Sequence, residues 1–264
     1  MGKKYFLSVL GIFKNESDIF EEWIQHYLKE GVDHFYLIDN DSNDNFMHII
    51  KKYNDKITFY SKPEKNKQLD HYRSVIPDIK KESEWLLICD FDEFVFSKSN
   101  YTKIPDVIKK FRKEKDVTQI FLPWKNFSSN KQIEQPESVI KGFNDRKYYR
   151  KLEHRSKKYI ILVDSLEKVN IHECKMKNGI SVDSKNEKPN LSGERLYIDE
   201  DELSRYEIHL NHYPIQSYNW FMSVKATRGD VAWQKKDKIR DKKYFDEFDK
   251  NSGYLDNLLI NKKY

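Results

Sequence analysis

Along the first ninety residues, short apolar runs alternate with stretches whose apolar positions recur every three or four residues. Tyr5–Phe13 is β-rich and mostly apolar, and it ends at a polar break. After it Ile19, Trp23, Ile24, Tyr27 and Leu28 keep helical spacing, with Asn15 or Ser17 as the N-cap candidate and Gly31 as the stop. His34–Asp39 predicts a second strand, and the run 39–44, DNDSND, is dense in turn-forming side chains before the amphipathic stretch Phe46–Tyr53. Ile57–Tyr60 predicts a third strand, Gln68–Lys80 a helix interrupted by Pro77, and Trp85–Cys89 a fourth strand. The order β-α-β-α-β-α-β predicts an α/β fold, a mostly parallel sheet with helices on both faces.

Beyond Phe94 the pattern loosens. Pro105 suits the first turn of a helix reaching Lys115, and Thr118–Leu122 reads as another strand leading to Trp124 and Phe127. Residues 128–147 read as a long loop, and such loops in a compact domain usually carry function. Tyr159–Val163 and Lys168–His172 resemble a strand pair, 175–200 is polar and expected to be mobile, and Glu207–Tyr213 predicts a further strand. Helical character returns from Gln216 to Arg228 and again after Ile239. The expectation is one domain over 1–215, with a helical extension over 216–264 packed on it.

Composition narrows the classes. Hydrophobic residues at 38% and aromatics at 14% sustain a core in a chain of 264 residues despite 34% charged residues. The net charge of +5 comes from lysines scattered among Asp and Glu, with no ordered interleaving of Arg and stacking aromatics, so nucleic acid is not an expected partner. A mildly basic surface suits a nucleotide or peripheral contact with an acidic membrane. Two cysteines, Cys89 and Cys174, make no disulfide framework. The amino terminus lacks a small-residue cleavage site and reads as a core strand, and no apolar stretch reaches the roughly 18–20 residues a bilayer span needs. The expected location is cytoplasmic.

Residues 85–94, WLLICDFDEF, carry the densest candidate chemistry. A strand buried on both faces runs into Asp90, Asp92 and Glu93, and the carboxyl ends of such strands are where open α/β sheets bind ligands. Strand alternation would set Asp90 and Asp92 on one face, a hard oxygen site for Mg²⁺ or Mn²⁺ carrying a diphosphate; the plainer alternative is an acidic turn. Within 39–44, Asp39, Asn40 and Asp41 offer acceptors to a ribose or base, although helix capping accounts for one or two of them. His172 and His212 each end a predicted strand and would suit a metal shell, while a hydrogen-bonded core histidine is the commoner role. Absence of a His-x-x-x-His or Cys-x-x-Cys pair disfavours zinc, and no phosphate loop is present. Diphosphate charge would therefore fall to Lys14, Arg73, Lys225 and Arg228. The segment VKATRGD also reads simply as a helix ending at Gly229.

Taken together, these motifs resemble glycosyltransferase family 92 and related family-2-like transferases. The resemblance rests on Lys14-Asn15-Glu16, Glu22-Trp23, Gly31-Val32, Asp39-Asn40-x-Ser42-x-Asp44, Gln68 with Tyr72, DFDEF, Trp124 with Phe127, IHE at 171–173, and Asn211-His212-Tyr213 followed by Ser217, Lys225, Arg228 and Gly229. It implies a GT-A fold, a uridine diphosphate hexose or similar nucleotide-sugar donor, a glycan or glycolipid acceptor, and Mn²⁺ or Mg²⁺ at the Asp-x-Asp. Carried onto this chain, the metal ligands would be Asp90, Asp92 and a histidine, His212 or His172. Donor contacts would come from Asn15, Glu16, Asp39, Asn40, Asp41, Arg73, Asp90, Lys225 and Arg228. An inverting transfer needs a carboxylate base, Glu93 or Asp164, and Trp124 and Phe127 would face the acceptor unless they pack in the core. Animal members are membrane-anchored, a departure that leaves their acceptor preferences unassigned here. A nucleotidyltransferase and a non-catalytic nucleotide- or carbohydrate-binding module are the competing functions.

Overall fold

The alternation in the sequence builds one nine-stranded sheet. The computed structural model describes residues 2–150, 152–193, 195–228, 240–250 and 252–264. The strands are β1 (Tyr5–Phe13), β2 (His34–Asp39), β3 (Ile57–Ser61), β4 (Ser83–Ile88), β5 (Glu93–Ser97), β6 (Val117–Asn126), β7 (Lys157–Leu162), β8 (Ile180–Asp183) and β9 (Ile208–His212). They lie in the order β3-β2-β1-β4-β7-β6-β9-β5, with β8 also on β6. All run one way except β7 and β5, which are antiparallel to their neighbours. The chain is therefore α/β with a mostly parallel sheet, the arrangement a GT-A fold requires. Strands β2 and β4 are buried almost throughout, which is why their sequences are apolar on both faces.

Helices α1 (Ser17–Lys29), α2 (Met47–Lys52), α3 (Gln68–Glu82) and α4 (Ile104–Glu114) connect the first strands. Neither Asn15 nor Ser17 caps α1 with its own side chain. The Ser17 N–H is taken by Asp44 at 2.7 Å, so the loop after β2 closes the helix after β1. The stop is as expected, with Gly31 at φ +88°, where a side chain would be strained. Helix α3 runs through Pro77 instead of breaking there.

The carboxyl-terminal half departs further from expectation. Tyr159 and its neighbours form β7, inserted between β4 and β6, rather than a hairpin with Lys168–His172; Leu166–Lys168 pairs instead with Lys175–Met176. Part of the expected mobile segment is strand β8, which pairs with β6 residues 117–121, while β9 pairs with β6 residues 124–126 on the same edge. Among the described residues after Gln216, the helical ones are Tyr218–Trp220, a π-type turn at Phe221–Lys225, and Lys242–Asp249. Gly229 and Ile239 lie outside the described residues. The last twelve residues are not helical: Tyr254 and Leu255 pair with Arg146 and Asp145, and Asp256 and Lys262 reach ion partners in the body of the protein.

Strand β5 follows β4 by a short turn yet stands at the far end of the sheet order, so the sheet curls until β5 lies against α1. Residues of α1 at helical spacing fill the open edge of β5. The Trp23 indole N–H donates to Glu93 O at 3.1 Å, and the Tyr27 hydroxyl donates to Glu93 O and accepts from Val95 N. His26 Nε2 donates to Val95 O at 2.8 Å, and Glu30 accepts from Ser97 N at 3.1 Å. An edge that would otherwise strand buried backbone groups is thus satisfied by side chains. Burial pushes the His26 pKa down to about 4 from 6.5, against the opposing pull of the Val95 carbonyl. As pH falls through that range the unfolded chain takes a proton that the folded one refuses. Stability is therefore complete above 6.5 and lost toward 4, on the order of 3 kcal/mol in all. His26→Gln, which keeps an N–H for Val95, should flatten this part of the acid limb in thermal melts; an unaltered limb would show that the imidazole is not the group responsible.

Candidate active site

Asp90, Phe91 and Asp92 do not continue β4. They form the turn between β4 and β5, which removes the strand alternation as the reason for the two carboxylates to share a side. The turn is fixed from below by Phe91, which is buried and stacked on Trp23 with centroids 4.4 Å apart, and packed edge-on against Phe20. Gly11 permits this, since a Cβ there would come within 3.1 Å of the Phe91 ring. The register of β5 with β9 sets Glu93 opposite His212, and the Tyr213 N–H donates to Asp92 O at 2.8 Å. Asp92, Glu93 and His212 consequently converge, each offering a ligand atom within 4.8 Å of the others.

The cleft is lined by Lys14 and Glu16 after β1, Asn40 after β2, Gln68 at the head of α3, the turn Asp90–Asp92, and Lys225, Arg228 and Arg240 from the carboxyl-terminal segment. These are the carboxyl ends of adjacent parallel strands. Nearly every carboxylate has its own cation. Lys158 on β7 holds Asp90 Oδ2 at 2.8 Å and approaches Glu93 Oε2 at 3.5 Å, Lys225 holds Asp92 Oδ2, and Arg228 holds Glu16. Burial works against ionised Asp92, but Lys225 and His212 outweigh it and hold its pKa well below the usual carboxylate range. Burial lowers Lys225 below an ordinary lysine, with Asp92 opposing. Glu93 is different: burial pushes its pKa up to about 8, with Oε2 accepting from Asp90 N and Oε1 without a hydrogen-bond partner.

His212 is arranged as a ligand would be. Its Nδ1 lies 2.7 Å from Asn126 Oδ1, an oxygen that only accepts, so Nδ1 carries the hydrogen. Burial lowers its pKa, with Asp92 opposing. Its Nε2 stands 3.7 Å from Asp92 Oδ1, beyond a direct hydrogen bond, a spacing that a cation held by both would bridge. The donor set of one carboxylate oxygen and one imidazole nitrogen fits Mn²⁺ or Mg²⁺, with nitrogen favouring Mn²⁺. His172 lies outside this group; it meets Trp124 edge-on at 5.9 Å, whereas Trp124 packs at 4.3 Å on His212. Asp90 is likewise absent from the converging set, its carboxylate turned to Lys158.

Other expected site residues divide. Glu16, Asn40, Asp90, Asp92, Lys225 and Arg228 line one cleft. Asn15, at φ 54°, ties two loops together by accepting from Asn43 N and donating its own N–H to Ser42. Asp39 caps Ser42 N, and Asp41 pairs with Lys14 at 2.9 Å at the surface, so much of 39–44 serves turn chemistry. Three expected residues stand apart from the cleft. Arg73 is exposed on α3 and paired with Asp70, away from the cleft. Asp164 pairs with Lys3 at the surface, next to the β7 residue that registers with Trp85 near the start of β4, so it sits at the opposite end of the sheet. Glu93 is sealed beneath the turn and does not line the cleft. Phe127 is core, packed on Tyr213, while Trp124 borders the site through His212. Lys158 was missed; its signal is a lysine heading the apolar strand KKYIIL, where a buried ammonium needs a carboxylate.

The sequence model of glycosyltransferase family 92 matches residues 3–250. A glycosyltransferase family 92 protein of Oryza sativa subsp. japonica is 22% identical over 150 residues, 54% of this chain and 25% of that protein, so the chain spans about a quarter of that relative. The crystal structure of S. aureus TarS 1–349 in complex with UDP aligns at 16% identity over 60% of this chain and 47% of that one, with a TM-score of 0.39. HddC from Yersinia pseudotuberculosis aligns at 10% identity over 76% and 97%, with a TM-score of 0.35. No helix among the described residues is long and apolar enough to cross a membrane.

The packing under the turn carries a stability expectation. Phe91→Ala should cost about 3–5 kcal/mol, read by denaturant unfolding, because Trp23, Phe20 and Phe13 all lose their contact. A cost below about 1 kcal/mol would mean the turn is held by its hydrogen bonds alone.

Proposed function

The chain belongs to glycosyltransferase family 92, and on that premise we propose that it transfers a hexose from a nucleotide diphosphate sugar, a UDP-sugar in the first instance, to a hydroxyl of a glycan or glycolipid. The observation that carries this reading is the facing pair Asp92 and His212 in a cleft that also holds Lys14, Lys225 and Arg228. Asp92 and His212 would hold Mn²⁺ or Mg²⁺, which when bound supplies Lewis-acid neutralisation of charge on the departing diphosphate.

The chain's own residues do the remainder. Lys14, Lys225 and Arg228 bind and orient the diphosphate. Asn40 spends its amide N–H groups on Lys62 O and Glu64 O, which fixes the floor on which the nucleoside rests. Asp90, held by Lys158, accepts a donor hydroxyl. Trp124, packed on His212, gives the acceptor an apolar face beside the metal ligands. Inversion requires a base on the acceptor side. Because Glu93 and Asp164 both fail to reach the cleft, a retaining transfer is the second reading, and the anomeric configuration of the product decides between them.

Incubation with a panel of nucleotide sugars and Mn²⁺ should release nucleoside diphosphate. Release of pyrophosphate would instead identify a nucleotidyltransferase, and binding without turnover a binding module. Asp92→Asn should leave the circular dichroism spectrum intact and lower turnover by at least about 10²-fold, the size of losing one transition-state charge partner. His212→Ala should raise the Mn²⁺ concentration needed for half-maximal rate, while His172→Ala should not. Near-native turnover in Asp92→Asn would remove the metal assignment.

A further inference from the structure

Asp92 Oδ1 and His212 Nε2 face one another 3.7 Å apart in the cleft, while Asp92 Oδ2 is already held by the buried ammonium of Lys225. A carboxylate oxygen and an imidazole nitrogen at this spacing suit a shared cation, and the neighbouring ammonium opposes one. A divalent ion on this carboxylate would lie within a few ångström of Nζ, and in a water-poor site two cations at that range repel strongly. Lys225 is itself 4% exposed and Asp92 6%, so bulk water screens neither.

We propose that Lys225 is the counter-ion of Asp92 only in the donor-free enzyme, that it competes there with a divalent cation for Asp92, and that a nucleoside diphosphate ends the competition by taking the ammonium as its own partner. The inference rests on the nucleotide-sugar reading above. Three observations support it. Lys225 lines the cleft as well as contacting Asp92, so a diphosphate lies within its reach. It closes a π-type turn, Phe221–Lys225, a local irregularity that recurs at functional sites and sets a flexible four-carbon stem at its end. Arg228 and Lys14 face the same space, so the incoming phosphates meet other cations as they draw Lys225 away. Metal and diphosphate then bind with positive coupling, and by linkage each tightens the other by the same factor. Arg228 does not share this role, because its partner is Glu16 and not a metal ligand.

The test compares the melting temperatures of the wild-type protein and Lys225→Met with MnCl₂ alone, UDP alone and both, together with calorimetric titration of Mn²⁺ into the wild type with and without UDP. The wild type should be insensitive to Mn²⁺ alone, and UDP should tighten its Mn²⁺ binding at least about fivefold. Lys225→Met leaves Asp92 without its ammonium partner, so Mn²⁺ alone should raise its melting temperature and the coupling should be smaller than in the wild type. Lys225→Arg, which keeps the charge, should retain the wild-type pattern. Folded Lys225→Met with no response to Mn²⁺ would overturn the competition, as would wild-type binding of UDP and Mn²⁺ without coupling, and in either case the donor reading survives. If the wild type binds no UDP with Mn²⁺ present, the donor reading falls and this inference with it. Should Lys225→Met fail to fold, the wild-type titration decides alone.

Discussion

The hydrogen bonding of α1 to the open edge of β5 is the constraint on which the site depends. Asp90, Phe91 and Asp92 occupy a turn between two strands that are not neighbours, so no ladder between β4 and β5 holds that turn. Trp23, His26, Tyr27 and Glu30 hold it instead, bonding in succession to Glu93, Val95 and Ser97. One helical face thus does two things: it buries its apolar rings, and it supplies donors and acceptors to backbone that would otherwise be buried unpaired. A helix that merely packed well would leave β5 free to slip. A one-residue slip would turn Glu93 away from its place opposite His212, because side-chain direction along a strand alternates.

Charge compensation is the second organising feature, and it explains why so acidic a turn tolerates burial. Asp92 and Glu16 are almost wholly buried with Lys225 and Arg228 against them, and Lys158 is shared by Asp90 and Glu93. One lysine cannot fully compensate two carboxylates at once, and burial raises the pKa of the more deeply buried of the pair, Glu93. Its carboxyl serves a structural end, accepting the Asp90 N–H that shapes the turn. Such ion pairs add little net stability, since desolvation offsets attraction; their effect is to fix where each charge stands.

How much of this was legible in the sequence follows from how local each signal is. Strands β1 to β4 and helix α1 were readable because burial on both faces, or on one helical stripe, writes an unambiguous period into neighbouring residues. Strand β5 was not, since FVF directly after an acidic turn looks like the tail of the previous strand. The partner of β7 was missed for the reason that an antiparallel insertion between β4 and β6 leaves no mark in either neighbour. Pro77 misled because a helix can absorb a missing N–H when the facing carbonyl belongs to an exposed residue, here Arg73. At the site, Asp92, Lys225, Arg228 and His212 were nameable from their positions after strands or in the last helical stretch. Lys158, Asn126 and the demotion of Glu93 and Asp164 were not, because each depends on which strands are adjacent in space.

The carboxyl-terminal tail completes the argument about register. Asp256 bridges Lys125 and Arg146, both nearly inaccessible, and the Lys125 pKa is pushed down to about 8 by burial despite that partner. Lys125 stands in β6 opposite Asn211 of β9, one residue before His212. Further along, Lys262 donates to Ser97 O at 2.6 Å, at the end of β5, and pairs with Glu30 of α1. The tail therefore grips β6 beside His212 and β5 at its far end, while α1 holds the middle. Sliding β5 against β9 would break a buried pair at Glu30 and orphan a buried ammonium, a cost far above that of losing a few apolar contacts. Residues that touch no ligand thereby hold His212 in register with Glu93, beside Asp92.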